Sequence, residues 1–136
     1  MIKQFWINLP VKDMSKSKAF FTQIGFALNT KYGNTEHSAC LLIGDKNVVV
    51  MLFEETMFKN FTQHDIVNTQ QSTEVLFSID AESREEVDDL AQKVAEAGGI
   101  VFSKPATHQG FMYGCAFTDL DGHRWNILHM NPPELT

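Results

Sequence analysis

The hydrophobic and polar positions of this chain fall into the same order twice. From about Phe5 to Val11 the side chains alternate and include the β-favouring Trp6, Ile7 and Val11, which predicts a half-buried strand. Asp13 or Ser15 can cap a helix whose body, Ser17 to Ile24, places Phe20, Phe21 and Ile24 on one side, and Gly25 supplies a left-handed exit. Strand-like stretches follow at 26–31, 38–43 and 48–53, the last two joined through Gly44-Asp45-Lys46-Asn47 as a hairpin. The second pass begins at Thr73 with a strand over 74–80. Ser83-Arg84-Glu85-Glu86 then reads as a capping box, and Val87, Leu90, Ala91, Val94 and Ala97 recur at helical spacing until Gly98-Gly99. A short strand at 100–102, a loop through Pro105 and Gly110, a strand over 111–118 and a last strand over 123–129 complete the repeat.

Each pass reads β-α-β-β-β. The predicted fold is α+β: two βαβββ modules pairing into a curved eight-stranded mixed sheet around a cleft, with the helices outside. The chain is expected to be one domain over 1–136, with module one at about 1–54, module two at about 73–130 and a frayed tail at 131–136. Residues 55–72 match nothing in the second pass. They mix Met57, Phe58 and Phe61 with Asn60, Gln63 and Asn68, and read either as a connector with a mobile flap or as an ordinary linker with its aromatics tucked into the core. A duplicated scaffold places function at equivalent positions, because copies related by a pseudo-twofold axis bring those positions into one shared cleft.

Charge narrows the partners. A net charge of -6 argues against nucleic acid, which is bound by clustered Lys and Arg. No apolar run nears the roughly 20 residues that span a bilayer, and the first residues lack a secretory pattern, so no membrane partner and a cytoplasmic location are expected. The two cysteines, Cys40 and Cys115, show no metal spacing; the 75-residue offset between them also relates the two hairpins, which predicts reduced packing residues on equivalent strands. No GxSxG elbow, P-loop or dinucleotide glycine pattern occurs.

Asn8-Leu9-Pro10-Val11-Lys12-Asp13, Ser17, Phe20-Phe21 with Gly25-Phe26, and Asp119-Leu120-Asp121-Gly122-His123-Arg124-Trp125 resemble the vicinal oxygen chelate superfamily of glyoxalases, bleomycin-resistance proteins and extradiol dioxygenases. The stretches NLPVKD, TEVLFSID, SREEVD and GFMYG are similar to a bacterial glyoxalase-like subgroup. The resemblance implies four metal-ligand slots, one on the first and one on the last strand of each module, filled by His, Glu or Gln. Counting along the family pattern puts them at Trp6, Met51, Glu74 and Asn126, with a 68-residue offset carrying Trp6 to Glu74 and a 75-residue offset relating Met51 to Asn126. Only Glu74 is a good ligand, and one carboxylate with a neutral amide does not outcompete water for a divalent ion. A slip of two residues offers Gln4, Asn8, Phe53 and Leu128, which is no better.

Glu74 is the expected catalytic residue, since a carboxylate in an apolar cleft beside Trp6 and Met51 becomes a general base or an anchor; its plain alternative is a solvated strand-start carboxylate. Trp6, Met51 and Asn126 are expected to contact ligand. His108, Phe111 and Tyr113 join them as pocket residues because the glycines of Gln109-Gly110-Phe111-Met112-Tyr113-Gly114 let backbone approach a ligand. His123 and His129 differ from Asn126 by odd numbers and should face away from the cleft onto the surface, while His37 and His64 lie in loop-like sequence. The expected function is therefore binding of a small, partly apolar molecule in the inter-module cleft, with no metal and no other cofactor. The alternative is a divalent-metal-dependent lyase, isomerase or dioxygenase in which a histidine joins Glu74. A homodimer is the expected assembly, and a vestigial cleft in a protein acting through dimerisation is a third reading.

Overall fold

The alternation read from the sequence becomes strands with one face under a helix and one face free of it. The computed structural model describes residues 1–130; the tail at 131–136 lies outside the described residues. Elements run β1 (Trp6–Val11), α1 (Met14–Gln23), β2 (Ala27–Leu28), β3 (Ser38–Ile43), β4 (Val48–Glu54), α2 (Glu55–Thr62), β5 (Leu76–Asp80), α3 (Arg84–Glu96), β6 (Ile100–His108), β7 (Met112–Thr118) and β8 (Arg124–Met130). The fold is α+β and duplicated, with two four-stranded mixed sheets ordered β1-β4-β3-β2 and β5-β8-β7-β6. The chain divides into two compact units, Met1–Asn68 and the residues from Thr69 onward.

In the first unit β1 runs parallel to β4, and β3 pairs antiparallel with both β4 and β2. Asp13 starts α1 by accepting the Lys16 N–H at 3.0 Å. The helix then buries Met14, Ser17, Phe20 and Phe21 with Leu9, Val11, Ala39, Leu41, Val50 and Leu52. The second unit repeats this: β5 is parallel to β8, and β7 is antiparallel to β8 and β6. Ser83 accepts the Glu86 N–H at 3.1 Å, and α3 buries Val87, Leu90, Ala91 and Val94 with Phe117, Trp125 and Ile127. Burying a large apolar side chain of this kind contributes about 1.5–3 kcal/mol.

Three local features differ from the sequence expectation. Residues 55–62 form α2, whose Phe61 ring meets Phe53 edge to face at 5.1 Å. Its apolar side chains recur over barely two turns, too short a stretch for the period to stand out from a linker. Second, β6 continues through Pro105 to His108 where a loop was expected. Proline is tolerated there because β6 is an edge strand, and two register irregularities, between Val101 and Ser103 and between Ser103 and Ala106, absorb the break. Third, β2 shrinks to two residues.

The sheet register also corrects the repeat offsets. Trp6 pairs with Val49 and Leu76 with Arg124, and the two N-caps, Asp13 and Ser83, stand 70 residues apart. The first strands are thus related by 70 residues, not 68, so the position equivalent to Trp6 is Leu76 and Glu74 lies in a bend ahead of β5. Met51 and Asn126 keep their equivalence, since Asn8 faces Met51 and Ser78 faces Asn126. Cys40 and Cys115 do lie on equivalent strands but on opposite faces: Cys40 pairs with Met51, whereas Cys115 pairs with Ile127. A hairpin turn of different length in each unit shifts the pairing by one residue, which is enough to invert a side chain.

Candidate functional site

Side chains at alternate strand positions share a face, so the helix-free face of each sheet can be read from register. In the first unit it carries Trp6, Asn8 and Pro10 from β1, Val49, Met51 and Phe53 from β4, and Ser38, Cys40 and Leu42 from β3, and α2 reaches it only at Phe53, through Phe61. Trp6 is 52% exposed at the start of an edge strand. Met51 is half-buried because the β2–β3 loop folds onto it. A Cβ at Gly33 would lie 2.9 Å from Met51 Cε and 3.1 Å from Cys40 Cβ, so the absence of a side chain permits the contact. That loop is tied down by Ser38 Oγ donating to Gly33 O at 2.9 Å, by Lys18 Nζ donating to Thr35 O, and by His37 Nδ1 lying 3.0 Å from Glu54 Oε1. The Glu54 hydrogen bond and charge hold the His37 imidazolium form to higher pH than usual.

In the second unit the helix-free face carries Leu76, Ser78 and Asp80 from β5, Arg124, Asn126 and Leu128 from β8, and Gly114, Ala116 and Thr118 from β7. Asn126 is half-buried, and its carbonyl oxygen is enclosed without a hydrogen-bond partner. A buried polar atom left unpaired costs about 1–3 kcal/mol, so this amide is a place where the sheet is not optimised for stability alone. The bulge between Val101 and Ser103 sets Phe102 and Ser103 against the single residue Ala116. Phe102 comes under Arg124, whose guanidinium carbon lies 4.3 Å from the ring centre.

The turn before β8 is built by Asp119. Its carboxylate accepts the N–H groups of Asp121 at 3.0 Å and His123 at 3.1 Å, and the Trp125 indole N–H at 3.2 Å. Burial pushes this carboxyl above the usual range, while His123 and the Trp125 N–H pull it back. The motif that carried the family resemblance is therefore largely a folding device that sets where Arg124 and Asn126 emerge.

The other expected site residues are placed as follows. Glu74 is exposed in its bend. His108 and Phe111 are exposed at the β6–β7 connection, where Gln109 and Gly110 take positive φ. Tyr113 lies on the opposite face from Asn126; its hydroxyl donates to Asp88 at 2.6 Å and its ring lies 4.8 Å below the Arg84 guanidinium carbon. The Asp88 hydrogen bond raises the Tyr113 pKa, so the phenol stays protonated as a donor to α3. His123 and His129 are half-buried, and His129 Nδ1 is 3.0 Å from Ala81 O. Both cysteines are buried; desolvation raises the Cys40 thiol and pushes Cys115 up to about 11, which leaves both unreactive near neutral pH. Arg124 and Phe102 escaped the sequence reading, because the contact that joins them runs across strands.

The residues do not fit a divalent metal. The equivalent positions Trp6, Met51, Leu76 and Asn126 supply one amide, and moving two residues along the first strands substitutes Asn8 and Ser78. Neither set contains an anionic or imidazole donor, the groups on which tight sites depend. Among the described residues, no three His, Cys, Asp or Glu side chains group closely enough to hold an ion. No helix of the described residues is long and apolar enough to cross a membrane.

This duplicated fold defines a class, and the sequence matches the Glyoxalase/Bleomycin resistance protein/Dioxygenase superfamily over residues 3–127. The chain belongs to that superfamily. Among solved structures it is similar to a hypothetical protein from S. aureus, with 39% identity, 95% of each chain covered and a TM-score of 0.84. It also resembles a glyoxalase/bleomycin resistance protein/dioxygenase family enzyme from Burkholderia phytofirmans PsJN, at 16% identity and a TM-score of 0.78, covering 92% of this chain and 96% of that one. The fosfomycin resistance protein FosX from Listeria monocytogenes shares 20% identity and a TM-score of 0.65, covering 95% and 94%. A comparison with curated proteins finds no match.

Proposed function

We propose that this protein binds a small, partly apolar molecule on the helix-free faces of its sheets, without a conventional metal site. The observation that carries this reading is the chemistry at the equivalent positions: an exposed indole, a thioether and a half-buried amide stand where metal-dependent relatives place ionic donors. Trp6 and Met51 supply apolar contact, and Asn126 supplies directional hydrogen bonding. Glu74, exposed ahead of β5, is the acid–base candidate, and His108 and Phe111 at the β6–β7 connection are the flanking contacts. The same reading expects a cytoplasmic homodimer, to be checked by light scattering on the purified protein.

The two tryptophans make the binding test direct. Trp6 is 52% exposed and Trp125 is 1% exposed, so acrylamide quenching reports on Trp6. Ligands found by screening small aromatic molecules should protect wild-type fluorescence from quenching and leave a Trp6→Phe variant unchanged. Stoichiometric Ni, Zn, Mn or Fe in protein purified without chelators would overturn the metal-free reading.

A further inference from the structure

We propose that Arg124, Asn126 and Ser78 form an anion-recognition subsite on the helix-free face of the second sheet, so that the molecule bound there carries a carboxylate, sulfonate or phosphonate beside its apolar part. This deepens the reading above and rests on it. Arg124 and Asn126 are two residues apart on β8 and therefore share a face, and Ser78 sits directly across from Asn126 on β5. Strand geometry puts such neighbours about 5–7 Å apart at the backbone, within the span of one small ligand.

Three observations point to a ligand rather than to packing. Arg124 makes no ion pair among the described residues, although the chain carries 17 acidic residues against 11 Lys and Arg. Its guanidinium is held against Phe102, which lies two residues on from Ile100, the partner of Thr118, and so shares this face with its ring 45% exposed. A guanidinium held over a ring can still present N–H groups to a carboxylate through two parallel hydrogen bonds. Finally, Asn126 stands across from Ser78 on the same face, and its amide N–H groups and the Ser78 hydroxyl are donors that suit an anion. The Phe102 ring extends the same surface as an apolar floor.

Benzoate and benzamide test this, because they share shape and differ in charge. Titrating each into the full-length protein and following backbone amide shifts by NMR should show benzoate binding at least about tenfold more tightly, with the largest shifts at Ser78, Ala116, Arg124 and Asn126. Raising the ionic strength should erode that preference, as for any half-exposed charge contact. Arg124→Gln should bring benzoate down to the level of benzamide, Arg124→Lys should keep part of the preference, and Phe102→Leu should reduce it. Equal binding of the two probes, or an undiminished benzoate preference in a folded Arg124→Gln, overturns the anion subsite and leaves the small-molecule reading standing. Absence of shifts on the helix-free faces with either probe overturns both.

Discussion

The two units share a helix-side core and differ in what they place on the face without a helix. Phe20, Phe21, Val11, Leu41 and Leu52 in the first unit are answered by Val87, Val94, Phe117, Trp125 and Ile127 in the second, all nearly or wholly buried. On the free face the first unit is apolar and partly covered, with Met51 lying under Gly33 and Phe53 against Phe61. The second is polar, with Arg124 on Phe102 and an amide whose oxygen lacks a partner. Close packing constrains a core position from all sides, whereas a free face is constrained only by the strand beneath it, so duplicated units diverge there first. Divergence of this kind leaves one unit with an apolar free face and the other with a polar one.

The largest effect should come from the tryptophan pair. Trp125→Ala empties a buried site and unties the Asp119 turn, and should cost about 3–5 kcal/mol in urea unfolding. Trp6→Ala should stay within about 0.5 kcal/mol, since the residue is half exposed at the start of an edge strand. Comparable losses for both would show that the first free face is core and not surface.

Glycine substitutions come next and sharpen the same contrast. At Gly114 an added Cβ would meet the Ile127 backbone oxygen at 2.5 Å, which cannot move without breaking the sheet. Gly114→Ala should cost about 2–3 kcal/mol. At Gly33 the obstacle is the flexible end of Met51, although φ is +72°, so Gly33→Ala should cost about 1–2 kcal/mol. It should also alter Trp6 quenching if the loop lifts from Met51. A larger loss at Gly33 than at Gly114 would mean the loop is as rigid as the sheet.

The smallest effect is a pH dependence confined to the first unit. His37 has its pKa raised above the ordinary 6.5 by the hydrogen bond and charge of Glu54. A raised value means the pair stabilises the folded state fully below pH 6.5 and loses that contribution as pH rises through the folded value. NMR titration should show the His37 midpoint falling in Glu54→Gln, and stability should decline less between pH 6 and 8 in that variant than in wild type. An unchanged midpoint would show that the pair does not persist in solution. His37 is largely exposed, so the stability change is small.

The legible parts of this fold were those with local causes. Ser83 capping α3, Gly25 and Gly98 ending α1 and α3, and Gly44 through Asn47 turning the first hairpin all rest on short-range rules. The duplication was visible because the hydrophobic period repeats. Register was less so: a two-residue error in the first-strand offset left the hydrophobic pattern intact and moved the equivalent position from Leu76 to Glu74. Tyr113 read as a pocket residue because glycines flank it, but parity on β7 puts it under α3 beside Asp88.

What the chain determined by itself was the pair of β-α-β-β-β units, their caps and the poverty of ionic ligands at the equivalent positions, since these follow from residue type and spacing along one strand or helix. What only the tertiary structure decided was cross-strand: which face Cys40 and Cys115 occupy, that Gly33 covers Met51, that Asn126 keeps an unpaired oxygen, and that Phe102 lies beneath Arg124. Each depends on how two strands slide past one another, and a one-residue slide, invisible in either strand alone, reverses every side chain it carries.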